Sequence, residues 1–107
     1  MLLSQIRLLL ENKVSIDSFK RQIQSEVSSY KKQLSKKGAS APIYLTEDIF
    51  YTLAEQGIST LKRVYQAGQL DQFEISYLAD TLLLAEKVKF SNEDIEDDLE
   101  SFSLSGS

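Results

Sequence analysis

The chain has no cysteine, no histidine and no tryptophan, and its 107 residues include one proline and four glycines. Without cysteine there is no disulfide framework and no thiolate metal site, which fits a reducing compartment. Without histidine the chain also lacks the commonest general base near neutral pH, and zinc, haem and iron–sulfur centres lose their usual ligands. The scarcity of proline and glycine speaks against a many-turned β-sandwich and for long helices. Long apolar runs are absent too. Met1-Leu2-Leu3-Ser4-Gln5-Ile6-Arg7 resembles the apolar core of a signal peptide. It lacks a basic start, however, and Gln5, Arg7 and Glu11 interrupt it. No stretch approaches the roughly 20 apolar residues that span a bilayer, so a cytoplasmic, unprocessed chain is expected.

What remains is an ordinary globular composition, 42% hydrophobic and 26% charged, enough for one core and one domain. The net charge of −4 is unevenly spread. Residues 1–37 hold eight Lys/Arg against three Asp/Glu, and residues 38–107 hold four against thirteen. A basic first third is followed by an acidic remainder.

Four segments share one pattern: an apolar residue, a capping residue, polar positions, then a second apolar residue. They are Val14-Ser15-Ile16-Asp17-Ser18-Phe19, Leu45-Thr46-Glu47-Asp48-Ile49-Phe50, Leu70-Asp71-Gln72-Phe73-Glu74-Ile75 and Phe90-Ser91-Asn92-Glu93-Asp94-Ile95. A hydroxyl or carboxylate there can accept the free N–H groups of a first helical turn, and the apolar pair has the spacing of a hydrophobic staple. Asp71 and Glu74 have the reciprocal spacing of a capping box, and Glu47, Asp48, Glu93 and Asp94 place negative charge where the helix dipole favours it. These signals predict four helix starts.

With apolar periodicity they predict helices over Leu2–Glu11, Ile16 to about Lys36, Thr46 to about Gly68, Gln72–Glu86 and Asn92–Phe102. Gly57 either breaks the third helix or allows a close neighbour, and the continuing periodicity favours one long helix. Lys37–Pro42 reads as the clearest loop. The expected fold is all-α, an antiparallel bundle of four to five helices over residues 1–102, with 103–107 as a frayed tail.

No active site is legible. There is no Gly-rich phosphate loop, no nucleophile–base arrangement and no metal-ligand spacing, and the acids near 94–98 lack the alternating ligands and central glycine of a calcium loop. No catalysis, cofactor or metal is expected. The densest feature is Glu93-Asp94-Ile95-Glu96-Asp97-Asp98-Leu99-Glu100, six acids in eight residues without a base. It reads either as a solvated face or as a surface for a basic partner, since like charges this close weaken a helix. Lys20, Arg21, Lys31, Lys32, Lys36 and Lys37 form the opposite case. A solvated face, or attraction to the acidic half of the same chain, is favoured over nucleic-acid binding, because the acidic remainder would repel phosphate.

The segment Leu8-Leu9-Leu10-Glu11-Asn12-Lys13-Val14-Ser15-Ile16-Asp17-Ser18-Phe19-Lys20-Arg21-Gln22-Ile23 resembles the opening of colicin-D-type bacterial immunity proteins. Glu47-Asp48-Ile49-Phe50 is similar to that family's acid-acid-aliphatic-Phe. Gln69–Asp80 is similar in style to helical immunity proteins of contact-dependent growth inhibition. The resemblance implies a cytoplasmic protein that holds a sibling toxin inactive, often a transfer-RNA-cleaving nuclease, by filling its basic cleft. The toxin-binding residues expected are Glu47, Asp48, Glu55, Glu93, Asp94, Glu96, Asp97, Asp98 and Glu100. Neither direct nucleic-acid contact nor membrane contact is expected, and the free protein would be monomeric. The other reading is a helical adaptor whose groove takes a partner helix.

Overall fold

Three of the four capping signals start helices. Ser15 Oγ accepts the Ser18 N–H at 3.2 Å, and the helix α2 runs Ile16–Leu34. Asp71 Oδ1 accepts the Phe73 and Glu74 N–H groups at 2.9 and 2.8 Å, and Glu74 Oε1 accepts the Asp71 N–H at 2.9 Å. This reciprocal box opens α4, Gln72–Leu84. Asn92, rather than Ser91, caps α5, Glu93–Phe102, by accepting the Asp94 N–H at 3.0 Å. The remaining elements of the computed structural model are α1 (Leu3–Leu10), β1 (Tyr51–Leu53), α3 (Glu55–Gln66) and β2 (Val88–Phe90). The structure describes residues 1–34 and 43–104; the expected loop at Lys37–Pro42 and the last turn predicted for the second helix lie outside them.

The fourth signal does not start a helix, which corrects the expected long helix from Thr46. Thr46 instead bridges the beginning of the chain: the Leu3 N–H donates to Thr46 O at 3.0 Å, and the Thr46 N–H to Met1 O at 2.9 Å. Downstream, β1 pairs with β2 in parallel, Tyr51 opposite Val88 and Leu53 opposite Phe90. The aromatic and β-branched run Phe50-Tyr51-Thr52 suits a strand better than a helix interior. The third helix begins only at Glu55, so Gly57 lies in its first turn and neither breaks it nor sits mid-helix. A Cβ there would stand 2.6 Å from Leu53 Cδ1 and 3.5 Å from Leu10 Cδ1. Gly57 is thus a close-approach glycine, over which Leu53 folds back from the strand.

The fold is therefore mostly helical, with five helices and one two-stranded parallel sheet among the described residues. Because β1 and β2 are parallel, the chain must cross between them, and α3 and α4 make that crossover. The all-α expectation missed this sheet. At the centre is α4, which is buried at every position from Glu74 to Leu82. A helix enclosed on all sides must satisfy each polar group it carries. Ser76 Oγ lies 2.6 Å from Tyr30 Oη, and Tyr30 Oη donates to Asp80 Oδ2 at 2.5 Å. Thr81 Oγ1 donates to Tyr77 O at 2.7 Å, and the Tyr77 hydroxyl donates to Glu26 Oε1 at 2.8 Å. The Tyr30 and Tyr77 rings meet edge to face, 5.1 Å between centroids. Burial, reinforced by Glu26, pushes the Tyr77 phenol well above its ordinary pKa and keeps it a donor.

The same network receives the end of α5. Ser103 Oγ donates to Asp80 Oδ1, and the Leu104 N–H donates to Ser76 Oγ at 2.8 Å. The first two residues of the expected frayed tail are thus hydrogen-bonded to α4, and residues 105–107 lie outside the described ones. Within α5, Ile95 and Leu99 are fully buried, and Phe102 meets the Tyr65 ring edge to face.

Candidate functional site

The nine acidic residues singled out in the sequence do not form one surface of one kind. Glu47 is tied into the fold: its Oε1 accepts the Lys87 N–H at 2.6 Å, and its carbonyl accepts Lys87 Nζ at 3.1 Å. These bonds fasten the approach to β1 onto the approach to β2. Asp48 is likewise engaged. Its Oδ1 accepts the Ser4 N–H at 3.0 Å and its Oδ2 accepts Ser4 Oγ at 2.6 Å. The residue preceding α1 is Leu2, which offers no side-chain cap, so Asp48 caps that helix from 44 residues away. Hydrogen bonding from Ser4 holds the Asp48 carboxyl below the ordinary aspartate range.

The other seven lie on α3 and α5, the helices that follow the two strands. β1 leads into α3 and β2 into α5, which places the two helix N-termini side by side. Glu55, the first residue of α3, accepts the Asn92 Nδ2 hydrogen at 3.0 Å and so joins the two starts. Glu55, Glu93 and Asp94 sit where positive helix ends favour them, and Glu96 is still in the first turn of α5. That favourable placement is a sufficient structural reason for those four.

It does not extend to the rest of α5. Asp97 and Asp98 lie in the middle of this ten-residue helix and Glu100 in its last turn, which carries no basic residue. In that last turn the dipole disfavours the Glu100 carboxylate. Asp98 is compensated by Lys62 Nζ at 3.6 Å. Asp97 and Glu100 are exposed and form no ion pair among the described residues, and the same is true of Glu93, Asp94 and Glu96. With Ile95, Leu99 and Phe102 facing inward, helical geometry puts Glu93, Asp97 and Glu100 along the centre of the outer face. Among the described residues no three acidic side chains are grouped as a metal ion would need. The face is an array of separate charges.

The basic residues of α2 are largely occupied by their own chain. Lys20 Nζ is 3.6 Å from Glu74 Oε1, Lys31 Nζ sits 4.7 Å from the centre of the Phe73 ring, and Arg21 Nε donates to Asp17 O at 3.4 Å. Of the stripe, only Lys20 among these three meets a carboxylate of the acidic half, and Lys36 and Lys37 lie outside the described residues. Among the described residues no helix is long and apolar enough to cross a membrane.

Sequence reasoning passed over one exposed feature. Phe50, just before β1, is 79% exposed, with Lys87 Nζ 5.1 Å from its ring centre. The expected helix from Thr46 would have carried Phe50; the chain instead enters β1 there and leaves the ring outside, and only its position before Tyr51-Thr52 hints at this. Comparison of the chain with protein-family models, with characterised proteins and with solved structures finds no match.

Proposed function

We propose that the protein is a non-enzymatic binder, an immunity protein that neutralises a cognate bacterial toxin with a basic cleft, most fittingly an RNA-cleaving nuclease, in the cytoplasm of the producing cell. One observation carries this reading: Asp97 and Glu100 are exposed on the outer face of α5 and lack a cation among the described residues, and Glu100 occupies the last turn, where the macrodipole penalises it. Charges kept against their own helix are accounted for by a basic surface that arrives from outside. The rigid footing of α5 supports the same reading. Ile95, Leu99 and Phe102 on one side and the Ser103–Leu104 bonds to α4 hold the array in place before any encounter. The contact surface proposed is Glu55 with Glu93, Asp94, Glu96, Asp97 and Glu100; Glu47, Asp48 and Asp98 serve within the fold.

The test is co-expression with the toxin encoded immediately upstream. The expected result is restored growth and a complex that survives purification and weakens with salt. Absence of both rescue and complex overturns the reading.

A further inference from the structure

Helices α3 and α5 are joined by three side-chain contacts that follow the same order along both, so the two run side by side in the same direction. Asn92 Nδ2 donates to Glu55 Oε1 at 3.0 Å, and Lys62 Nζ lies 3.6 Å from Asp98 Oδ1. The Tyr65 and Phe102 rings meet edge to face, 6.2 Å between centroids. Ile58 of α3 and Ile95 and Leu99 of α5 are buried. A hydrogen bond at one end, an aromatic pair at the other and an apolar core thus hold the helices together without the ion pair between them.

That middle contact is of a weaker kind. At 3.6 Å it is longer than a hydrogen bond, and the Lys62 and Asp98 side chains are 48% and 38% exposed. Such a pair contributes little to stability, because water and salt screen it and two side chains lose freedom to make it. Lys62 is nevertheless the one cation paired with an acid of α5 among the described residues. It interrupts a seam that is otherwise acidic, with Glu55 two turns before it on α3 and Asp94 one turn before Asp98 on α5. Its neighbours on α3, Ser59 and Gln66, are exposed and uncharged, so nothing there stops the flexible lysine stem from turning its ammonium to water.

We propose that Lys62 is an autoinhibitory contact, a cation of the chain's own that covers Asp98 until a cation of a basic protein partner takes its place. Asp98 serves within the fold of the free protein and joins the contact surface in the complex. The acidic line then runs unbroken from Glu55 and Asp94 to the Tyr65–Phe102 pair. A basic surface with no side chain able to reach Asp98 meets Lys62 as a like charge, so the same residue discriminates among basic partners. The proposal rests on the reading of α5 as a surface for a basic protein.

The experiment titrates the isotope-labelled full chain with a short blocked oligo-arginine peptide at low salt. Saturating peptide should move the Lys62 side-chain resonances to the positions they take in Asp98→Asn. Lys62→Met should tighten binding about threefold, and Lys62→Gln should repeat the effect with a polar side chain. In the Asp98→Asn background the gain from Lys62→Met should shrink to that of Lys89→Met, which removes the same unit of charge from β2. Lys62 resonances unmoved by the peptide would overturn the proposal. So would an equal gain from Lys62→Met with and without Asp98, the mark of charge acting at a distance. Toxin rescue failing while the peptide still displaces Lys62 would sink the immunity reading alone. Rescue succeeding, with Lys62 and Asp98 uncoupled in toxin association, would sink the Lys62 proposal alone.

Discussion

Glu47-Asp48 and the acids of α5 look alike as sequence: carboxylates just after a capping residue, flanked by aliphatic and aromatic side chains. In the folded chain they do opposite things. The first pair accepts hydrogen bonds from Ser4 and Lys87 and joins three separate segments. The second group hangs on a helix whose inner face is well packed, and five of its six acids have no cation among the described residues. What separates the two is where each acid's donors come from. The acids consumed by the fold are supplied with backbone N–H groups, and the exposed acids of α5 are supplied with no cation among the described residues.

This contrast can be broken by experiment. The largest expected effect is at Glu47. Glu47→Ala leaves the Lys87 N–H without its acceptor at the start of β2 and should cost about 2 kcal/mol in denaturant unfolding, with toxin association unchanged. If association falls and stability holds, Glu47 belongs with the other group. Next, Asp97→Lys combined with Glu100→Lys should slow association with the toxin by about tenfold at low salt, an effect that shrinks as salt is added. Its unfolding midpoint should stay level or rise, and a loss of stability instead would mean that these acids support the fold.

Smaller effects sharpen the same line. Glu100→Gln alone should stabilise the isolated protein by about 0.3 kcal/mol, since it removes charge from the unfavourable end of α5; thermal unfolding would detect it, and destabilisation would contradict the dipole argument. The smallest concerns Asp48. Its pKa is lowered by Ser4, so its contribution is fully present above its ordinary value of 3.8 and is lost as pH falls through the lower folded value. The Ser4 amide resonance should titrate with a midpoint below the ordinary aspartate value, and Asp48→Asn should abolish that titration. A Ser4 midpoint at or above the ordinary aspartate value would show that the bond is not made in solution.

Much of the helical framework was legible because helix starts are local. Ser15, Asp71 with Glu74, and the Ser91-Asn92 pair announce their helices through groups two or three residues away, and no distant contact intervenes. Leu45–Phe50 presents the same local features and fails, because Thr46 finds Met1 and Leu3, Glu47 finds Lys87, and Asp48 finds Ser4. Tertiary partners outweighed a few tenths of a kcal/mol of local preference per residue. The strands were hidden for a related reason. Three residues each, Tyr51–Leu53 and Val88–Phe90 are too short to show a period, and their pairing depends on two intervening helices. Of the candidate site, the residues were legible and their division of labour was not. Which carboxylates are spent internally depends on Ser4, Lys62 and Lys87, none of which is a sequence neighbour.

The crossover has a kinetic consequence. Pairing β1 with β2 closes a long loop through α3 and α4, a non-local contact of the kind that slows folding. Helix α5 follows β2 directly, and Ser103 and Leu104 fasten it against α4. A partner that grips both Glu55 on α3 and the outer face of α5 would clamp the two helices that leave the paired strands, and so would brace that loop closure from outside.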